Sequence, residues 1–142
     1  MRWRSRLHDR TERGASAVEF ALVVIPLLLV VGGIINFGVA FANQLSLDNA
    51  VRQAARAGVV DVTPAPDLEA VVQDEYQPLA GSSDPEVTFA DRTTCEGSSF
   101  GESLGLTAEV TTDFIFPWPV PESVIPSEVV LRSEAQFQCE FS

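Results

Sequence analysis

One acidic side chain and one peptide bond hold most of the chemistry this sequence offers. Glu19 stands at the head of an apolar run that continues from Phe20 to Ala42 and is broken only by Asn36. A carboxylate at the lip of such a run costs about 2.5–3.5 kcal/mol at mid-bilayer and less near an edge, so it asks for a cationic partner. Cutting the chain after Gly14 would create one, the free ammonium of Ala15, four residues before Glu19. On a helix that spacing puts amine and carboxylate on one face, where they pair within one molecule or between neighbours packed side by side. The chemistry is charge pairing unmasked by hydrolysis of a single bond. The same residues permit a second reading, an uncleaved anchor whose Glu19 sits among lipid headgroups.

The element that must position this pair is the run itself. Residues 20–42 would form a helix about 35 Å long, enough to cross a hydrocarbon core of about 30 Å. Pro26 lies inside it, a feature tolerated where neighbouring helices satisfy the freed carbonyl. Gly32, Gly33 and Gly38 leave it slim, and Ala17 with Ala21 and Gly38 with Ala42 are small pairs suited to close helix contact. Helical spacing persists beyond the run: Leu47, Ala50, Val51, Ala54 and Ala57 recur on one side, Asp48 and Arg52 form a favourable pair, and Gly58 is the expected C-cap.

Charge orients the chain. Residues 1–14 carry five arginines against two acids, whereas after Ala42 there are four arginines against seventeen acids. Arginines crowded before an apolar segment hold that end in the cytoplasm, so the acidic portion is expected outside, at the cell membrane, on a single-pass chain. The same acidic balance excludes nucleic-acid binding, which needs clustered cations against phosphate.

G-x-x-x-x-E-[FY] before a long apolar run, here Gly14 to Phe20, resembles the processing site of type IV prepilins and pseudopilins. The short basic leader and the Glu19-Phe20 pair resemble most closely the TadE-type proteins of tight-adherence (Tad) pilus systems. Two further stretches are similar to that family: QLSLDNAVRQAARAG after the anchor, and LTAEVTTDFIFPWPVPESVIPSEVVLRSEAQ near the end. The resemblance implies cleavage after Gly14 by a prepilin peptidase, Ala15 as mature terminus, and Glu19 with Phe20 in docking. It also implies partners among other pilin or pseudopilin subunits, pilus-assembly proteins and the membrane, and a role as a minor, non-catalytic component of pilus assembly or secretion.

The remaining chain predicts a small α+β domain. Residues 1–13 lack apolar periodicity and are expected to be disordered. Thr63-Pro-Ala-Pro is a linker, and Asp67–Tyr76 reads as a short helix. Residues 86–95, 104–116 and 129–141 alternate as strands, with a proline-dense connection, Pro117-Trp-Pro-Val-Pro121, between the last two. A three-stranded antiparallel sheet covering the extended helix is the simplest arrangement. The expected divisions are a basic leader at 1–14, a transmembrane helix at 15–42, its amphipathic extension at 43–58, and an extracytoplasmic domain at 59–142. Cys95 and Cys139 both fall in that outer domain, where paired cysteines form disulfides. Phe116 and Trp118, held by prolines, suit either an exposed docking patch or a lid over the core.

Catalytic constellations are not found. The sole histidine, His8, lies in the leader, which removes histidine-based triads and metal sites from the outer domain. No P-loop, dinucleotide or zinc motif occurs, and the acid pairs Asp74-Glu75 and Asp84-x-Glu86 lack calcium-loop spacing. No cofactor or metal is expected, and the chain does not read as an enzyme. One rival remains: Ala40-Phe-Ala42 matches a signal-peptidase site, which would release a secreted domain beginning at Asn43. The apolar region is long for such a signal, and the helical pattern runs through the cut.

Overall fold

A computed structural model describes residues 8–60 and 62–139 of the chain. The chain runs α1 (His8–Gly58), α2 (Leu68–Glu75), β1 (Glu86–Phe89), β2 (Ser103–Asp113) and β3 (Glu128–Gln138). This is the expected α+β arrangement: a long N-terminal helix, a short helix and a three-stranded antiparallel sheet in the order β1-β2-β3.

Helix α1 spans 51 residues, about 76 Å at 1.5 Å per residue, and continues through Pro26. It is already helical at His8, earlier than the leader's composition suggested. Nothing in the sequence between Asp9 and Arg13 breaks a helix. The expected disorder of residues 1–7 lies outside the described residues.

The core forms where the far end of α1 meets the sheet. Leu47, Ala50, Val51, Ala54 and Ala55 are buried at helical spacing against Leu68 and Val72 of α2 and Leu104, Leu106, Ala108 and Val110 of β2. Three alanines in that stripe let the helix axis approach the sheet closely. Strand β2 is central and alternates cleanly between buried and part-exposed positions. Its neighbours are edges: Glu86 stands opposite Glu109 at one end of the β1 ladder, and Asp113 opposite Glu128 at one end of the β3 ladder. Asp67 caps α2 by accepting from the backbone N–H groups of Glu69 and Ala70.

Three sequence expectations need correction. Gly58 is no left-handed C-cap: it is the last residue of α1, and positive φ occurs only at Gly81, Gly97 and Gly101 among the described residues. Its missing side chain matters for packing, because a Cβ there would come within 2.4 Å of Leu104 Cδ2 and 2.8 Å of Leu68 Cδ1. Second, β1 ends at Phe89. The Ala90 N–H still bonds Gly105 O, but the chain then leaves the ladder so that Cys95 can reach Cys139. Third, the carboxylate of Asp48 accepts from Gln44 Nε2 at 2.9 Å, one turn back, in place of the expected Arg52.

Candidate functional site: the exposed half of the long helix

From Gly14 to Val31 no residue of α1 is buried by the rest of the chain. Val18, Phe20, Leu22, Val23, Leu27 and Val30 are each more than half exposed. An apolar surface of this length has to be covered by lipid or by other helices. Among the described residues α1 is the one helix long and apolar enough to cross a membrane.

The proposed processing and docking residues all lie on this free half. Gly14 and Ala15 are exposed, and a Cβ at Gly14 would meet nothing within 4 Å. The bond between them lies inside a continuous helix. Glu19 and Phe20 stand on the next turn, both exposed, Phe20 at 70%. The structure therefore brings Gly14, Ala15, Glu19 and Phe20 together on one accessible segment, remote from the folded domain. Cys95 and Cys139 form a second locus at the opposite end, joined as a disulfide and fully covered.

Between the two ends lies an arrangement that sequence reasoning missed. Asn36, the one polar residue in the apolar run, is only 2% exposed. Its Nδ2 donates to Phe116 O at 2.9 Å, and its Oδ1 accepts from the Phe116 N–H at 2.8 Å. This two-point clamp satisfies both backbone groups of a residue 80 positions away, in surroundings where either would be costly to leave unpaired. The Phe116 ring lies on Gly32, where any Cβ would come within 2.3 Å of it, and Trp118 lies over Gly33. These two glycines thus receive aromatic rings of the same chain, not a second helix. Phe116 and Trp118 are neither the exposed patch nor the core lid expected of them: they are half-buried on the flank of the apolar helix. A polar residue beside paired glycines in an apolar run was the available signal.

Further along α1, polar side chains fasten the domain in the same manner. Buried Asn43 donates to Ala80 O and Thr112 Oγ1 and accepts from the Leu79 N–H. Gln44 donates to Arg132 O, and Ser46 Oγ accepts from the Gln77 N–H. Beneath them the Tyr76 hydroxyl bonds Ser82 Oγ at 2.6 Å. Burial raises the pKa of that hydroxyl, and the Ser82 bond pulls the other way. Packing therefore begins at Gly32, ten residues before the end of the apolar run.

These features define a class: a small α+β domain clamped along the C-terminal half of one helix whose N-terminal half is bare and apolar. Compared with known families, residues 14–56 match the family described as TadE-like protein. The match begins at Gly14 and covers the whole free half of α1, consistent with a TadE-type protein associated with Tad pili; the stretch 104–138 lies outside it. Neither the comparison with curated proteins nor that with solved structures returned a match.

Proposed function

We propose that this chain is a minor pseudopilin-like component of a Tad-type pilus or secretion system. It is inserted with its N-terminus in the cytoplasm and its acidic domain outside, and a prepilin peptidase trims it after Gly14. The new Ala15 ammonium then pairs with Glu19, and the bare half of α1 packs among pilin or pseudopilin subunits. Trimming removes a leader of net charge +3 and turns a costly carboxylate into half of an ion pair. Assembly follows from differential packing, with no bond made or broken by this chain.

The observation that carries this reading is the coincidence of the family match with the uncovered helix: the matched segment starts at the proposed cut and leads into a surface that no packing among the described residues buries. Cross-linking in native membranes that assemble a Tad pilus, followed by recovery through a C-terminal tag, is expected to bring down pilin-type subunits or assembly proteins. Recovery of the chain alone from such membranes contradicts the proposal.

A second reading has its own support. The Gly14–Ala15 bond sits within a continuous helix, whereas cleavage needs an opened backbone. An uncleaved, membrane-anchored interaction domain would keep that helix intact. Glycine weakens a helix interior by about 1 kcal/mol relative to alanine, so Gly14 eases local opening beside the proposed cut.

A further inference from the structure

We infer that the proline-rich loop 114–126 is seated in the outer lipid interface and forms a second membrane contact beside the helix. This rests on the proposal that α1 crosses a bilayer.

The first argument is depth. A span starting at Phe20 needs about 20 residues and reaches Val39. Gly32, Gly33 and Asn36, which carry Phe116 and Trp118, would then lie about 5–10 Å inside the outer boundary. A span starting at Ala15 ends near Ile34, and the same residues bracket the boundary. In either register the loop reaches lipid.

The second argument is composition. Asp113 and Glu128 face each other at the end of the β2–β3 ladder, and beyond them the loop is apolar apart from exposed Glu122 and Ser123. Ile115 and Val124 are 54% and 69% exposed. Four of its thirteen residues are prolines, which carry no N–H to leave unpaired in lipid. Several of the remaining donors are already used: Phe114 to Ser127 O, Phe116 to Asn36, and Val124 and Ile125 to Pro121 O.

The third argument is shape. The loop encloses an open cleft of about 170 Å³ walled by Phe114, Phe116 and Trp118 together with Val120 and Ile125, and Glu122 and Ser127 also line it. Such a mixed apolar and polar lining suits the boundary between acyl chains and headgroups. Trp118 Nε1 is covered and has no hydrogen-bond partner among the described residues. Tryptophan is enriched at this level of membranes. The loop would thus fix the helix's depth, because sliding α1 outward would drag an apolar loop into water.

The chain has two tryptophans, so Trp3→Phe leaves Trp118 as sole reporter. The full-length variant is placed in phosphatidylcholine nanodiscs, which expose both faces to solutes. Loss of Trp118 emission is expected when the lipids carry bromine near the top of the acyl chains. A smaller loss is expected with bromine near the chain ends, and little with aqueous iodide. A chain that enters the discs but shows iodide quenching without bromolipid quenching overturns the loop assignment alone. A chain that does not co-elute with the discs overturns the spanning helix itself.

Discussion

Glu19→Ala should insert into the membrane as well as the parent chain and be nearly absent from the assembled organelle. Insertion is unharmed because removing a carboxylate from the edge of an apolar helix lowers its transfer cost. With the trimming proposed above, incorporation suffers because the Ala15 ammonium is left without its counter-charge among packed helices. Removing one partner of a desolvated pair costs about 3–5 kcal/mol, which is about two to four orders of magnitude in occupancy. The Glu19 side chain does not support the domain: it is exposed on the bare half of α1, well before the core begins at Leu47. Quantitative immunoblotting of membranes and of sheared or cross-linked assemblies measures both effects. Undiminished incorporation of the variant would strip Glu19 of the role assigned to it.

The second large effect concerns the folded α+β domain. Exchanging both Cys95 and Cys139 for serine is expected to lower its unfolding free energy by about 4 kcal/mol, the chain-entropy value for a loop closed across a separation of 44 residues. That is a large share of the 5–15 kcal/mol typical of a domain. The bridge also organises a segment that has little regular structure of its own. Between β1 and β2 the chain is held by Ser98 N–H to Cys95 O, by Cys139 N–H to Glu102 O, and by Arg92 and the Ser99 N–H on Glu102 Oε2. Releasing the bridge frees both this segment and the end of β3. Urea denaturation of the full chain in detergent, followed by near-ultraviolet circular dichroism, reads the change. A shift below about 1 kcal/mol would mean that packing, not the cross-link, holds the segment.

What could be read from the sequence follows the range of the interactions involved. Helix α1 and strands β2 and β3 show their periodicity over ten residues or more, and α2 shows its cap, Asp67, so local patterns sufficed. The placement of the proposed site segment on one helix follows the same local pattern, since Gly14, Ala15, Glu19 and Phe20 lie within two turns of α1. The early end of β1 was not legible, because the need to bring Cys95 to Cys139 decides it and no residue between 86 and 95 announces a break. Gly58 looked like a cap from its place after Ala57, but two leucines from other elements set its role. The clamp between Asn36 and Phe116 was the hardest to foresee. Composition treats Asn36 as a lone exception in lipid and Phe116 as core or patch, whereas each explains the other across 80 residues.

The proposed pairing of Glu19 depends most on where the mature polypeptide begins. Intact-mass and N-terminal peptide mass spectrometry of the protein from native membranes should find Ala15 as first residue, with the arginine-rich leader gone. A first residue of Met1 would leave Glu19 without the amine it is said to bind and would contradict trimming; Asn43 would remove the anchor altogether.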